Sequence, residues 1–297
     1  MLTTLADLYE SLRPVRATDT AVNPDVTLVT AYVEINDVPS DTEASFLKRN
    51  RAQYLDWMQS VLSIRQNMVV FVEASNRDFV ADRRKALMPH TVIETVDGGA
   101  LRRSARYHDI KRIIDAGYMR HATRPRRIEL KNPLYATIMF SKFDWMRTAI
   151  EMNPFRTRYF LWMDAGYGHG LDRRFRYRTV VNHVWPSASR NARMENTVLV
   201  LGTGLHLQHL TLTEMMTTHN HVVAGGIWGG DRGKLLTFCE RFREELSWTL
   251  EHNLLDDEQS VMSAVYLKYP ELFTTVDCSS RLRDRCYFMK YLDASGR

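Results

Sequence analysis

Several motifs that mark common enzyme classes are absent from this sequence of 297 residues. There is no G-x-x-x-x-G-K-[ST] loop, which argues against a P-loop phosphotransferase. There is no G-x-G-x-x-G between a first strand and its helix, which argues against a dinucleotide dehydrogenase. The G-x-S-x-G turn of α/β-hydrolases is also missing. The alternating glycines Gly166, Gly168 and Gly170 do not replace these motifs, because no helical pattern follows them.

Cysteines and long apolar runs are scarce. The three cysteines, Cys239, Cys278 and Cys286, form no C-x-x-C pair, which is typical of ordinary thiols in a reducing compartment. A Cys278–Cys286 disulfide is not required by the spacing. The first 16 residues carry Asp7 and Glu10 where a signal peptide would be apolar, and no run reaches the length of a membrane span. We therefore expect a cytoplasmic protein without a transmembrane segment.

The charge is mildly basic, with a formal net charge of +5 and a pI of about 9.1. Basic side chains cluster at residues 120–131 ("RHATRPRRIELK") and at residues 173–178 ("RRFRYR"). Each cluster is either a solvated loop or a surface for phosphates or an acidic glycan. Without a dense basic patch, we expect no specific nucleic-acid partner.

Strand and helix patterns alternate along the first half of the chain. Apolar, β-branched stretches predict buried strands, and spacing at three and four residues predicts helices. The predicted strands are 26–35, 68–73, 91–96 and 159–163, and the predicted helices are 43–65, 78–88, 106–119 and 133–152. This alternation predicts an α/β protein with a mostly parallel central sheet flanked by helices.

The second half is less regular. Residues 196–205 indicate a strand and turn, and residues 221–234 indicate a strand, a glycine-rich turn and a strand end. Two helices, 235–255 and 256–270, and a last strand near residue 274 are predicted. With no repeat or linker, we expect a single domain over residues 1–297.

Residues 159–166, "YFLWMDAG", raise a question of function, because a buried strand ends directly on Asp164. In parallel sheets, ligands lie at the carboxyl ends of the strands. The segment Thr30-Ala31-Tyr32 and Glu73 also fall at or near such ends. We therefore expect these residues to meet at one edge of the sheet.

Four histidines lie close together in sequence, at His206, His209, His219 and His221. A zinc site needs converging ligands, usually completed by carboxylates or cysteines. Because these histidines flank a turn and a strand, we expect surface or hydrogen-bonded side chains instead of a metal site.

Two further acidic positions follow in the second half. Asp231 comes after a glycine pair, and Asp256-Asp257-Glu258-Gln259 opens a predicted helix. Helix capping alone accounts for Asp256 or Asp257. Together with Asp164, however, these acids suit glycosyl transfer, in which the leaving diphosphate needs a cation and the acceptor hydroxyl needs a base.

The two halves each hold a segment that resembles the HtrL/YibB (WlaTC/HtrL) family. They are "NPLYATIMFSKFDWMRTAIEMNPFRTRYFLWMDAG" and "VVAGGIWGGDRGKLLTFCERFREEL…LLDDEQSVMSAVYLKYPELF". The likeness runs from about residue 26 to residue 273. It implies a GT-A-like fold with a nucleotide-binding half over residues 26–170 and a sugar- or acceptor-binding half over residues 171–297. It also implies a glycosyltransferase in lipopolysaccharide or surface glycan synthesis, peripheral to membrane-linked assembly.

The resemblance assigns roles to matching positions. It implies a UDP- or GDP-sugar donor and a glycan or glycolipid acceptor. The residues implied to bind the nucleotide sugar are Thr30, Ala31, Tyr32, Lys142, Asp164, Ala165, Gly166, Gly225, Gly226, Trp228 and Gln259. Trp228 is alternatively a core residue.

One position departs from the family pattern that the resemblance suggests. A D-x-D metal motif would place an acid at position 166, where this chain has Gly166. Asp164 then binds Mn²⁺ or Mg²⁺ with waters and diphosphate oxygens, or His169 contributes, or basic side chains replace the metal. We favour the metal at Asp164.

The catalytic group is expected among three acids. Asp257, with Glu258 beside it, is either the base of an inverting reaction or a ligand of donor-sugar hydroxyls, and Asp231 is the second candidate base. A sugar nucleotidyltransferase and a catalytically inactive nucleotide- or glycan-binding protein are the alternative functions.

Overall fold

The computed structural model describes residues 22–35, 38–42, 50–167, 192–205 and 210–276. Predictions for the 173–178 basic cluster, His169, His206, His209, Cys278 and Cys286 lie outside these residues. Among the described helices, none has the length and apolar character needed to cross a membrane.

Seven strands form one sheet in the order β3-β2-β1-β4-β6-β5-β7. All of them run in the same direction except β6, which is antiparallel to both neighbours. The strands are β1 Val26–Tyr32, β2 Asn67–Val72, β3 Thr91–Thr95, β4 Tyr159–Met163, β5 Val198–Gly202, β6 Val223–Asp231 and β7 Phe273–Val276. The predicted fold class, α/β with a mostly parallel sheet flanked by helices, is confirmed.

Eight α-helices are described around the sheet. They are α1 Arg51–Leu62, α2 Arg77–Arg83, α3 Gly98–Arg103, α4 Ala105–Ala116, α5 Pro133–Met152, α6 Leu212–Thr218, α7 Arg232–Glu251 and α8 Glu258–Lys268. Local signals set their ends: Asn132 caps α5 before a proline at its first turn, and Asn153 ends it in the left-handed conformation. The predicted helix 133–152 is therefore confirmed at both ends.

The predicted turn within residues 221–234 is wrong. Residues Val223–Asp231 form one continuous strand, because β4 and β5 supply hydrogen-bond partners on both of its sides. The glycines cause a local irregularity instead: Val200 pairs with Trp228, but the next residue, Leu201, pairs with Ala224.

Apolar side chains cover both faces of the sheet. The larger core packs against α4, α5, α7 and α8 and contains the stacked aromatic rings of Phe143, Trp162 and Trp228. The smaller core packs against α1 and α2. Both cores extend along the length of the strands. Polar side chains are therefore found mainly where the strands begin and where they end.

A buried arginine ties the chain together at the edge where the parallel strands begin, called here the amino edge. Arg84 is fully buried and donates to five neutral oxygens that precede β2 and β3. These are Thr91 Oγ1 (2.9 Å) and the carbonyl oxygens of Leu62 (3.1 Å), Ile64 (2.5 Å), Gln66 (2.6 Å) and His90 (3.1 Å). Burial lowers the pKa of Arg84 to about 10.

Candidate functional site

A cavity of about 430 Å³ opens at the opposite edge, where the parallel strands end, called here the carboxyl edge. The ends of β1 and β4, the start of β6, and parts of α1, α5 and α8 line it. Because β6 is antiparallel, its first residues lie at this edge beside the last residues of β4. The expected meeting of strand-end residues at one edge is observed for Ala31, Tyr32 and Asp164, which all line the cavity.

Aromatic side chains form one wall of the cavity. The rings of Tyr32 and Tyr54 are stacked, with centroids 5.7 Å apart, and Trp57 meets Tyr54 edge-on at 5.1 Å. Burial, followed by the nearby Glu34 carboxylate, raises the pKa of Tyr32 above its ordinary value, so its hydroxyl stays protonated. This wall suits a flat ring such as a nucleobase, since aromatic faces stack on one another.

A buried ammonium group joins the strand-end acid to the start of α8. Lys142 Nζ lies 2.9 Å from Asp164 Oδ1 and 2.6 Å from Glu258 Oε1. Trp162 Nε1 also donates to Asp164 Oδ1 at 2.8 Å. The Asp164 side chain is 35% exposed, against 3% for Lys142, so Asp164 is the acid that a ligand in the cavity reaches most easily.

Burial and charge act in opposite directions on this group of side chains. Burial alone would lower the pKa of Lys142, but Asp164 and Glu258 raise it above its ordinary value, so the ammonium stays charged. Burial also raises the pKa of Glu258 to about 7, although Lys142 opposes this shift. A raised pKa suits Glu258 to the role of a general base near neutral pH.

The start of α8 is fixed by its own side chains and by β6. Asp257 caps the helix, accepting from Gln259 N at 3.0 Å and from Ser260 N at 3.3 Å. Gln259 Oε1 accepts from Gly225 N at 3.0 Å. A Cβ at Gly225 would lie 2.4 Å from Glu258 Oε1, so a side chain at this position would displace the Glu258 carboxylate.

A buried arginine anchors the same helix start to the loop before α5. Arg127 donates to Asp256 Oδ1 at 2.5 Å and to Asp257 Oδ2 at 3.0 Å, and it also contacts Glu129 and His219. Burial would raise the pKa of Asp257, but Arg127, His221, His219 and the hydrogen bond from Gln259 together outweigh it, and the pKa is lowered to about 2. Asp257 is thus a permanently ionised structural acid, and Glu258 is the better candidate base.

Among the described residues, one group could hold a metal ion. It consists of His219, His221 and Asp257, whose potential ligand atoms all lie within 4.8 Å of one another. Asp257, however, already accepts two hydrogen bonds on each carboxylate oxygen, including those from Arg127 and from Gln259 Nε2. A cation there would have to displace Arg127. The prediction that these two histidines are hydrogen-bonded holds for His219, which lies 3.0 Å from Asp256 Oδ2.

Mn²⁺ or Mg²⁺ at Asp164 fits the described side chains poorly. Both ions prefer several oxygen ligands. Here Asp164 has an ammonium at 2.9 Å, and Gly166 places no side chain where a second acid would stand. The positive charge beside Asp164 is supplied by Lys142.

Three residues predicted for the site lie outside the cavity. Thr30 and Trp228 are fully buried in the sheet, and Trp228 stacks on Phe143 at 4.9 Å, so its ring is a core residue without an exposed face for a sugar. Asp231 pairs with Tyr159, the first residue of β4, at the amino edge, where it caps α7 through Gly233 N at 2.9 Å. It lies about 16 Å along β6 from the residue beside Asp164.

The other predicted residues are in or against the cavity. Ala165, Gly166, Gly226, Asp257, Glu258 and Gln259 line it, and Gly225 lies directly behind Glu258. Sequence reasoning missed Tyr54, Trp57 and Arg127. The first two occupy ordinary positions on an amphipathic helix, and Arg127 lies within a cluster that reads as a solvated loop, so no local signal marks them.

The fold is that of an α/β protein with a cavity, the candidate ligand site, at the carboxyl edge of its sheet. Residues 24–285 match the family model described as "Bacterial protein of unknown function (HtrL_YibB)", and the chain belongs to this family. Protein HtrL of Escherichia coli (strain K12) is 24% identical over 255 residues, which cover 83% of this chain and 86% of HtrL.

Solved structures with a similar backbone fold share little sequence identity with this chain. Mouse xyloside xylosyltransferase 1 in its apo form is 11% identical, with 86% of each chain covered and a TM-score of 0.43. The 4-diphosphocytidyl-2C-methyl-D-erythritol synthase of Anaerococcus prevotii DSM 20548 is 9% identical, with 91% of this chain and 96% of that chain covered and a TM-score of 0.38. The PaToxG glycosyltransferase is 8% identical, with 91% and 76% covered and a TM-score of 0.35. Scores this low assign no activity to this chain.

Proposed function

We propose that this protein transfers a sugar from a nucleoside diphosphate sugar, with UDP or GDP as the carrier, to a hydroxyl group of a glycan or glycolipid. One observation carries the proposal: a single cavity combines an aromatic wall with the buried Lys142 and Glu258 and the partly exposed Asp164. A nucleotide sugar offers a flat base, an anionic diphosphate and a hydroxyl-rich ring. The aromatic wall supports binding of the base, and the charge of Lys142 supports binding of the diphosphate.

The aromatic wall would hold the base, and Lys142 would meet the diphosphate. An ammonium group has three N–H donors, and two of those of Lys142 point to Asp164 and Glu258. We expect the third to donate to a diphosphate oxygen. As the bond to the sugar breaks, negative charge develops on the leaving diphosphate, and a fixed cation in a dry site stabilises it.

Glu258 would accept the proton of the acceptor hydroxyl. The hydroxyl oxygen forms a bond to the anomeric carbon of the sugar, and the bond from that carbon to the diphosphate breaks. The electron pair leaves with the nucleoside diphosphate. A base with a pKa of about 7 is suited to this transfer at neutral pH. Gly226, which lines the cavity without a side chain, would let the donor sugar approach the backbone of β6.

The first experiment is a thermal-shift screen against a panel of nucleotide sugars, with and without Mn²⁺. We expect one UDP- or GDP-sugar to raise the melting temperature, because a ligand that binds only the folded state stabilises it. A rise that does not depend on Mn²⁺ supports Lys142 as the charge-compensating group. A rise that requires Mn²⁺ restores the metal at Asp164 that the D-x-D resemblance implies.

The second experiment measures transfer with the donor so identified. We expect Asp164→Asn to lose transfer, while Asp144→Asn, an exposed acid on α5 paired with Arg106, keeps it. Full activity of Asp164→Asn would refute the proposal. Release of inorganic diphosphate in place of a nucleoside diphosphate would identify a nucleotidyltransferase. Binding of the donor without turnover, with a range of acceptors, would indicate an inactive binding protein.

A further inference from the structure

A carboxylate and a guanidinium lie next to the aromatic wall of the cavity. Glu34 follows Tyr32 by two residues beyond the end of β1, and Arg51 precedes Tyr54 by one turn at the start of α1. Arg51 Nε donates to Glu34 Oε1, and both side chains line the cavity. After burial, the strongest influences on the pKa of Tyr32 are Glu34, which raises it, and Arg51, which lowers it. Both charges therefore lie beside the ring that begins the aromatic wall.

Asn76, which follows β2, fixes the position of this pair. Its Nδ2 donates to Glu34 Oε1 at 3.3 Å, and its Oδ1 accepts from Arg51 Nη2 at 2.9 Å. Asn76 is fully buried, whereas the side chains of Glu34 and Arg51 are 18% and 52% exposed. The carboxylate and the guanidinium are thus held by a buried side chain and remain accessible from the cavity.

The pair has hydrogen-bonding capacity left for a ligand. Both hydrogen bonds that the described residues make to the Glu34 carboxylate reach Oε1, so Oε2 and its two lone pairs remain. Arg51 has further N–H groups besides the two that bind Glu34 and Asn76. A ligand that reaches this end of the cavity therefore meets an acceptor beside a donor.

The order of the groups along the carboxyl edge matches the order of the parts of a nucleotide. The strands β2, β1 and β4 are neighbours in the sheet. Asn76 follows β2, the aromatic wall begins at the end of β1, and Lys142 meets Asp164 at the end of β4. A base that stacks on the aromatic wall, with its diphosphate at Lys142, would turn its Watson–Crick edge towards Glu34 and Arg51.

The Watson–Crick edges of guanine and uracil offer different groups to such a pair. Guanine presents one acceptor, O6, followed by two adjacent donors, N1–H and N2–H. Uracil presents one donor, N3–H, between two carbonyl oxygens. A carboxylate can accept from both donors of guanine, whereas from uracil it accepts one hydrogen bond and repels the adjacent carbonyl oxygen. The guanidinium can donate to the remaining oxygen of either base, so the carboxylate makes the distinction.

We propose that Glu34 and Arg51 select guanine, so that the donor of this protein is a GDP-sugar and not a UDP-sugar. Glu34 accepts from N1 and N2 of the base, and Arg51 donates to O6. This inference rests on the proposed function, because it assigns the base of the same nucleotide sugar. A hydrogen bond to a charged group changes affinity by about 10–100-fold, and we expect GDP to bind more tightly than UDP by this factor.

The test is isothermal titration calorimetry of the full chain with GDP, UDP and IDP. IDP differs from GDP only in lacking the amino group at C2, so it removes one donor to Glu34 and keeps the ring that stacks on the aromatic wall. We expect IDP to bind about 10-fold more weakly than GDP. These comparisons use the unchanged protein and do not depend on the folding of a variant.

Glu34→Gln then assigns the preference to the carboxylate. The amide keeps the size of the side chain but replaces one acceptor oxygen by a donor, so GDP should lose most of its advantage over IDP. The matched control is Glu151→Gln, because Glu151 Oε1 also accepts from an arginine, Arg147 Nε at 2.7 Å, near the end of α5. The control should keep the preference of the wild type for GDP.

Two results would overturn the choice of guanine and leave sugar transfer standing. They are binding of UDP that equals or exceeds that of GDP, and an unchanged preference for GDP over IDP in Glu34→Gln. If none of the three nucleotides binds, both this inference and the proposed function are wrong. The two failures are therefore distinguishable in one set of titrations.

Discussion

The two edges of the sheet each bury a cation, but they surround it differently. Arg84, at the amino edge, donates to a threonine hydroxyl and four backbone carbonyl oxygens, and no acid faces it among its recorded contacts. Lys142, at the carboxyl edge, faces Asp164 and Glu258. Neutral carbonyl oxygens hold a chain in place, whereas ionisable acids can exchange protons and ligands. The difference separates a structural cation, Arg84, from the cation that we propose to be functional, Lys142.

The sharpest test of the structural cation is Arg84→Met. Methionine fills similar space but leaves several buried carbonyl oxygens without donors, and we expect the free energy of unfolding to fall by about 3–5 kcal/mol. Urea denaturation measures this loss. Arg83→Met, at the exposed neighbouring residue, should change it by less than about 0.5 kcal/mol. Similar values for both variants would contradict the role assigned to Arg84.

The functional cation is tested by Lys142→Met. We expect transfer from the identified donor to fall about 10²–10³-fold, because one fixed charge at the leaving group is lost. Lys131→Met removes a lysine just before α5, which pairs with Asp41 outside the cavity, and should leave transfer close to wild type. If Lys142→Met retained wild-type turnover, the functional role proposed for Lys142 would be contradicted.

The pH dependence of stability distinguishes the two edges without any substrate. The folded-state pKa of Glu258 is raised to about 7 from 4.5, so between these values the folded chain binds more protons than the unfolded chain. Stability should therefore fall as the pH rises through this window, by up to about 3 kcal/mol. Urea denaturation at several pH values measures the slope. Glu258→Gln should reduce this slope. An unchanged slope in that variant would mean that another titrating group causes the pH dependence.

The smallest expected effect concerns Asp231, which the sequence suggested as a second base. Because it caps α7 at the amino edge, Asp231→Ala should cost about 1 kcal/mol in the free energy of unfolding and leave transfer unchanged. Thermal denaturation and the transfer assay check both parts. A loss of transfer in a folded Asp231→Ala protein would mean that the cavity is not the reaction site.

Local chemistry accounts for what the sequence predicted well. The helix over residues 133–152 is bounded by Asn132-Pro133 and Asn153-Pro154. These pairs start and end a helix through local backbone chemistry, so they can be recognised from the sequence alone. The strand-end acid Asp164 follows from a buried strand that ends beside a turn. The acidic start of α8 likewise follows from capping.

Long-range pairing accounts for what the sequence could not predict. The glycines of β6 favour a turn, and only the two neighbouring strands keep them extended. The antiparallel direction of β6 sends Asp231 to the amino edge and brings Gly225 to the carboxyl edge. The role of Arg127 depends on Asp256, 129 residues away, so its neighbours in sequence carry no sign of it.

The contact between Lys142 and Glu258 has a consequence for the order in which the protein is made. The two residues are 116 positions apart, and the contacts of Arg127 with Asp256 and Asp257 span 129 and 130 positions. A nascent chain that ends before residue 256 already contains β1 to β6 but leaves Lys142 without Glu258 and leaves Arg127 without Asp256 and Asp257. The candidate site is thus among the last parts of the protein to form, and a prematurely terminated chain would lack it.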